Sequence, residues 1–482
     1  MPKRAAAFDL ALPARGRNTP LAQWLYDGLR GAILQSRVKA GQRLPSTRDL
    51  ARLYSVSRGI VVVVFEQLRA EGYITSKVGS GTIVTETLPE SFLQVRPGRE
   101  LQKGSRHDPA PKAFATLPRA FRCFEPALDQ FPMELWTRVA ARRLRRASRL
   151  LLANGDARGY APLREAIAAY LGLSRGVRCT SDQVIVVSGV QQALDLVTRL
   201  VLRRGDAVWM EDPGYPGAKA AFESVGARIV PVQVGELGLD VHLGRQLSPD
   251  AKAVYVSPAH QFPLGMMMPV QQRMALLAWA HRSGAVILED DYDSEFRYTG
   301  SPLPALQGLD TSGSVVFLGS FNKVLFPSLR IGYAVLPGKM VEPMAALRFN
   351  ADRYCPTLDQ AILCDFITEG HFGRHLRRMR DCYSGRFQAF IHCVRETAGG
   401  FLDVPEIPAG LHAAAFLRDG ASPARLVDAA KEDGVEVQAL DRYTIARRDI
   451  CGLLLGFAAI RESEIRRGVA QLTRTMEKLH GR

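Results

Sequence analysis

The sequence predicts a multidomain protein, a small α+β unit at the N-terminus followed by a large α/β unit. At 482 residues the chain exceeds what one hydrophobic core sustains, since domains stop growing at roughly 250–300 residues. Residues 19–85 are dense in helix and turn signals and finish in a glycine-tipped hairpin. From about residue 119 onward, apolar runs such as Val184–Val187, Ala207–Met210, Ala253–Val256 and Ala285–Leu288 alternate with helical patterns such as Gln191–Leu202 and Gln271–His281. Short runs that are apolar at every position read as strands buried on both faces. Their alternation with helices reads as a parallel sheet covered on both sides.

In the N-terminal unit, Leu21, Trp24, Leu25, Leu29, Ile33 and Leu34 recur at helical spacing before GQRLP ends the helix. Ser46-Thr47-Arg48-Asp49 is a capping-box pattern opening a short helix to about Tyr54, and Ser57 caps another from Arg58 to about Glu71. Two short capped helices joined by a tight turn make a helix-turn-helix. YITSKVGSGTIV then supplies two β-prone segments around Gly79-Ser80-Gly81, the hairpin of a wing. In that arrangement the first turn of the second helix enters the major groove of double-stranded DNA. Ser57, Arg58 and Gly59 are therefore candidates for base edges or nearby phosphates, and Arg48, Lys77 and Ser80 for phosphates. The glycines of GSGT lack the Lys-Ser/Thr pair that would make them a nucleotide-phosphate loop.

Charge supports the same direction. The formal net charge is +15, and residues 1–90 hold 13 Lys and Arg against 7 Asp and Glu, so +6 falls there and +9 on the remaining 392 residues. Residues 88–118 carry several prolines and mixed charge without periodicity, which marks a linker. The expected organisation is a tail at 1–18, a DNA-binding unit at 19–87, the linker, and a large unit at 119–482 with a small subdomain from about 345. The seven cysteines are scattered with no CxxC pair or His-rich spacing, so they read as reduced packing residues and no metal site is expected. The N-terminus MPKRAAAFDLALPARGR lacks an apolar run long enough for a signal sequence, no later segment approaches about 18 uninterrupted apolar residues, and a cytoplasmic protein with no membrane partner is expected.

The large unit carries its chemistry in a few segments. GSFNKVLFPSLRIGY, residues 319–333, places Lys323 three residues after Ser320 and seven before Arg330. The run Ala285–Leu288 leads into EDDYDSEFRY, so Asp290 or Asp291 lies at the C-terminal end of a strand, where ligands of α/β sheets bind, with Tyr292 beside them. VIVVSGVQQALDLV is strand, turn, helix, and the backbone N–H groups of Gly189, Val190 and Gln191 open the helix in a way suited to a phosphate. EDPGYPG puts Tyr215 in a turn where its ring can stack on a flat ligand. An amine, a carboxylate, a phenol, a phosphate cup and a stacking ring together are what pyridoxal 5'-phosphate (PLP) needs. The lysine forms the imine, the acid keeps the pyridine nitrogen protonated, and the phenol donates to the ring oxygen.

The stretches AGQRLPSTRDLA, SVSRG and LRAEGYITSKVGSGTIV resemble the GntR-type winged helix-turn-helix over its whole length. NGDARGYAPLREAIAAYL, MEDPGYPG, SPAHQFPLG, LEDDYDSEFRY, the Lys323 segment and GHFGRHLRRMR resemble a PLP-dependent fold-type I aminotransferase from about residue 119 to the end. Joined in one chain, the two resemble the MocR family of transcriptional regulators. The resemblance implies Lys323 as the PLP Schiff-base lysine, Asp290 as the pyridine partner and Tyr292 as the ring-oxygen donor. It further implies Ser320 and Arg330 as phosphate ligands, Tyr215 as the stacking ring, His260 as a cofactor contact and Arg442 as the ligand of an effector carboxylate. It also implies a domain-swapped homodimer that senses a small amino compound, or PLP itself, at Lys323 and acts at promoter repeats. The alternatives are a working aminotransferase that carries a DNA-binding module, and a regulator without PLP. Arg374, Arg377, Arg378 and Arg380 are expected on a solvated or dimer-facing helix before any role in DNA contact.

Four positions depart from the family pattern. Gly59 stands where a larger polar residue is usual, Asn154 where a tyrosine reaches a neighbouring subunit's phosphate, and Val190 and Asn322 where serines are usual. At roughly 1 kcal/mol or more for each lost charge-assisted bond, affinity for PLP is expected to fall several-fold to a hundred-fold.

Overall fold

Apolar side chains three and four residues apart drive three helices in the N-terminal unit: α1 (Leu21–Leu34), α2 (Thr47–Leu53) and α3 (Arg58–Ala70). The structure is a computed structural model that describes residues 10–16, 19–77, 81–86, 119–298, 300, 304–407, 409–418 and 422–481. The predicted linker and Ser80 lie outside these residues. The chain divides into two units, Met1–Ala113 and Phe114–Arg482.

Leu25, Leu29 and Ile33 of α1 meet Leu50 of α2 and Val61, Val64, Phe65 and Leu68 of α3 in one core. Both predicted caps form. Ser46 Oγ accepts the Asp49 N–H at 3.2 Å and donates to the Asp49 carboxylate at 2.6 Å, and Ser57 Oγ accepts the Ile60 N–H at 3.4 Å. β1 (Ile74–Lys77) pairs antiparallel with β2 (Gly81–Val84), and Ile74 and Val84 close the core from below. These caps leave the first turn of α3 facing outward.

The large unit is built on β3 (Val184–Val187), β4 (Ala207–Asp212), β5 (Arg228–Gly235), β6 (Gly238–Leu239), β7 (Ala253–Val256), β8 (Val286–Asp291), β9 (Val315–Ser320) and β10 (Gly332–Val335). They form one sheet in the order β3-β10-β9-β8-β7-β4-β5-β6. Its centre, β9-β8-β7-β4-β5, is parallel, as the all-apolar runs predict. The sheet is mixed at its ends: β10, which the apolar runs did not mark, runs antiparallel to both β9 and the expected strand β3, and β6 runs antiparallel to β5. For β10 the Lys323 segment is the reason: it is a short return from Ser320 to Gly332, whereas a parallel return needs a crossover of a dozen residues or more.

Helices α4 (Met133–Arg145), α5 (Ala161–Arg175), α6 (Val190–Val201), α7 (Pro216–Ser224), α8 (Val241–Leu247), α9 (Val270–Ser283) and α10 (Leu306–Leu309) surround the sheet. Leu194 and Val197 of α6 pack on Ile185, Leu318 and Ala334 on one face. On the other, Trp279 of α9 stacks on Trp209 of β4 with ring centres 3.7 Å apart. Beyond β10 come α11 (Gly338–Asp352), α12 (Thr357–Thr368) and α13 (His371–Cys393). A second sheet follows, antiparallel, of β11 (Leu402–Asp403), β12 (His412–Leu417), β14 (Gly452–Gly456) and β13 (Gln438–Ala439), with α14 (Pro423–Glu432) and α15 (Glu462–Leu479). All seven cysteines are free, and no metal-binding group of side chains occurs among the described residues. No helix among them is long and apolar enough to cross a membrane.

Candidate functional site

The predicted site residues converge because their strands end on one edge of the sheet. β3 ends just before Gly189, β4 before Tyr215, β8 in Asp290 and Asp291, and β9 in Ser320 just before Lys323. The parallel strands β4, β8 and β9 all deliver their C-terminal ends there. A cavity of about 340 Å³ opens on that edge, walled by Gly189, Val190, Gln191, Tyr215, Asp290, Tyr292, Ser320, Lys323 and Arg330, with Asn322 beside them.

The two aspartates at the end of β8 face opposite ways. Successive strand residues face opposite sides. Asp290 enters the cavity wall, while Asp291 turns away and takes the Arg175 Nε–H at 2.8 Å. One Asp290 oxygen accepts the Tyr255 hydroxyl at 2.6 Å, and the other, Oδ1, is buried with no protein partner. Burial pushes this carboxyl up to about 7, with Asp291 and Asp293 raising it further and Tyr255 and Lys323 opposing. A cation beside Oδ1, such as a protonated ring nitrogen, would satisfy both the empty acceptor and the charge.

The Lys323 ammonium donates to the Phe124 carbonyl at 2.7 Å and stands 5.1 Å from the centre of the Phe124 ring. Burial lowers its proton affinity to about 8, which leaves an appreciable share of reactive neutral amine near neutral pH. Tyr292 lines the cavity, and its oxygen stands 3.1 Å from His260 Nδ1. That nitrogen also meets the Asp293 carboxylate at 2.9 Å. His260 thus stands one layer behind the wall, orienting Tyr292, and not on the wall itself. His412 stacks on Tyr292 with the planes 9° apart, and burial, then His260 and Lys323, hold it neutral, well below the usual imidazole range.

The cup for an anion is formed by the start of α6 and the Lys323 loop. Gly189 precedes α6 with φ +140°, a conformation that side chains disfavour. A Cβ there would stand 3.2 Å from Asn322 Nδ2 and 3.8 Å from Arg330 Nη1, so glycine keeps this niche open. Asn322 Oδ1 accepts the Ile331 N–H at 3.0 Å, which turns the Nδ2 donor toward the niche. Asn322 thus keeps an amide donor at the niche where the family pattern has a hydroxyl. Ser320 Oγ accepts the Asn322 N–H at 3.1 Å and retains its own proton for the cavity. Amide, guanidinium, hydroxyl and a helix N-terminus together fit the phosphate of PLP. Tyr215 lies at the start of α7, near the rings of Tyr255 and Phe262, with its hydroxyl 3.3 Å from Gln191.

Arg442 is not brought to this cavity either. The turn Leu440–Tyr443 sends Tyr443 inward onto Phe262 and leaves Arg442 exposed in a separate surface cleft with Asp441 and Arg447, so the effector role expected for Arg442 has no geometric support. Asn154 is exposed and accepts the Tyr354 hydroxyl at 2.9 Å. Phe124, Tyr255 and Phe262 line the cavity unforeseen. Tyr255 carried one signal, a polar-tipped ring inside an otherwise aliphatic buried strand, AVYV.

Elsewhere, Arg374 donates to the Glu369 carbonyl, Arg378 to that of Gln130 and Arg380 to that of Glu295. These arginines fasten α13 to its own unit. In the N-terminal unit Arg48, Ser57, Arg58 and Gly59 are all exposed. A Cβ on Gly59 would approach only Ser57 Oγ, at 3.9 Å, so packing does not demand glycine there. Lys77 ends β1 next to the undescribed wing tip.

Comparison with known proteins places both units. The aminotransferase class I and II family matches residues 126–438, and the bacterial regulatory proteins of the gntR family match residues 21–84. The chain is 39% identical to the probable rhizopine catabolism regulatory protein MocR of Rhizobium meliloti, over 95% of this chain and 94% of that one. It is 30% identical to the pyridoxine biosynthesis transcriptional regulator PdxR of Corynebacterium glutamicum, over 94% and 96% of the two chains. Among solved structures, the α-aminoadipate aminotransferase LysN of Thermus thermophilus, complexed with N-(5'-phosphopyridoxyl)-L-leucine, superposes with a TM-score of 0.70. It is 30% identical, covering 75% of this chain and 92% of that one. A gntR-type DNA-binding unit, an aminotransferase unit and end-to-end similarity to such regulators lead to one assignment: the chain belongs to the MocR family of transcriptional regulators.

Proposed function

We propose that the protein is a PLP-dependent transcriptional regulator that senses a small amino compound, or PLP itself, at Lys323. The observation that carries this reading is the single cavity that gathers Lys323, Asp290, Tyr292 and the Gly189–Arg330 niche. Bound there, PLP supplies an electrophilic carbon with which amines condense. Asp290 would keep the ring nitrogen protonated, Tyr292 would donate to the ring oxygen, and Tyr215 would cover the ring. The N–H groups opening α6, with Ser320, Asn322 and Arg330, hold the phosphate. Lys323, largely stripped of water, offers the amine, and an effector amine competes for the same position.

Two chains form a homodimer that exchanges N-terminal units, and an effector favours one arrangement of two recognition helices on promoter repeats. Ser57, Arg58 and Gly59 contact base edges or nearby phosphates, and Arg48, Lys77 and Ser80 contact phosphates. Its place is the cytoplasm, where DNA and PLP meet.

The test uses the full-length protein and DNA from upstream of its own gene. Saturable, salt-sensitive binding that changes with PLP or an amine, without steady consumption of an amino acid and 2-oxoglutarate, is expected. Steady transamination with no DNA preference would instead identify an enzyme.

A further inference from the structure

Asp291, the neighbour of Asp290 on the opposite face of β8, leads through Arg175 to a second cavity of about 150 Å³. Its lining includes Tyr170, Arg175, Ser294, Glu295, Arg297 and Arg380. The first cavity does not share these residues. That space is enough for several waters or one tetrahedral oxyanion.

The lining is rich in groups that still want a partner. Ser294 is 9% exposed, and its Oγ is buried without a hydrogen bond. Arg297 Nε and Glu295 Oε2 are likewise buried and unmatched. Among the described residues the Arg297 guanidinium reaches the sulfur of Met267, at 3.3 Å, and Arg380 donates to the Glu295 carbonyl at 2.6 Å. Among the described residues neither arginine is ion-paired. Asp291 is engaged by Arg175. Burial and then the charge of Arg175 lower the proton affinity of Arg297.

We propose that this second cavity binds a small tetrahedral oxyanion of the sulfate or phosphate class, held by Arg297 and Arg380 and by the Ser294 hydroxyl. Glu295 makes the site sensitive to pH. Its carboxyl is pushed up to about 7, first by burial and then by Asp291, with Asp293 adding and Arg175 opposing. Tyr170 from α5 donates to its other oxygen at 3.3 Å, Tyr333 of β10 is coupled to it, and Arg380 of α13 and Arg297 complete its charged surroundings. Below about pH 7 the protonated carboxyl becomes a donor to the anion, and above it a repelling charge. Binding therefore takes up a proton and strengthens as pH falls.

Sulfate is the better probe, because its own charge stays constant across this range. Full-length protein is first saturated with PLP, checked by absorbance, to occupy the cofactor's phosphate cup. Sodium sulfate is then titrated by calorimetry at constant ionic strength balanced with chloride, with phosphate as a second arm. One site per chain is expected, several-fold tighter at pH 6 than at pH 8. Arg297→Gln weakens it at least tenfold, Ser294→Ala a few-fold, and Glu295→Gln retains binding but flattens the pH dependence. Absence of saturable binding, or binding that Ser294→Ala and Glu295→Gln leave unchanged, overturns the proposal. The two small substitutions decide the matter if Arg297→Gln does not fold.

Discussion

Arg48, Ser57 and Arg58 stand in open solvent around the start of α3, whereas Lys323 and Asp290 sit in a wall where burial moves both of their proton affinities toward neutrality. The two units thus use opposite physical settings. Exposed cations on a polyanion act through released counterions and respond to salt. Buried groups act through desolvation and respond to pH and to the loss of single partners. Salt and pH therefore separate the two halves of the function, and each substitution below should move one and spare the other.

The largest effect is expected from Leu25→Ala. Leu25 is fully buried in the core of the N-terminal unit, and emptying such a site costs about 2–5 kcal/mol, a large part of a domain's stability. DNA binding should be lost at moderate temperature while PLP capture, followed by absorbance, persists. Parallel loss of both would break the comparison.

Arg330→Ala comes next. Removing a charge-assisted bond worth about 1.5–3 kcal/mol should weaken PLP by roughly 10- to 100-fold in an equilibrium titration, with the salt dependence of DNA binding unaltered. Undiminished affinity would mean that the phosphate sits elsewhere.

The rate of PLP capture should rise about tenfold per pH unit up to about pH 8 and level off above it, because only the neutral amine reacts and Lys323 loses its proton near 8. A rate still climbing at pH 10 would show an ordinary, solvated lysine. The smallest expected effect is that of Ser57→Ala, which removes the α3 cap and costs about 1 kcal/mol, read as a modest fall in unfolding temperature and in DNA affinity.

The units also differ in how much of each was legible in the sequence. Caps and turns are local, so Ser46 and Ser57 announced α2 and α3 to within a residue of their starts. In the large unit the segments around Lys323, Asp290 and Gly189 were legible because each follows a recognisable strand. The partners of these residues were not. Phe124 reaches Lys323 across 199 positions of chain and Tyr255 reaches Asp290 across 35, and only the sheet order brings them together. Nor does the sequence show that the Asn322 amide is anchored by Ile331, nine positions on. Arg442 misled for the converse reason: a motif gives the position of a residue but not which way a turn sends its side chain.

The central claim, that Lys323 anchors PLP in the cavity beneath the sheet edge, is tested most directly by an absorbance titration of the full-length protein with PLP. A near-visible band of lysine-bound cofactor that saturates at one PLP per chain, and is absent in Lys323→Ala, is the predicted result. No such band at any PLP concentration, or the same band in Lys323→Ala, would contradict it.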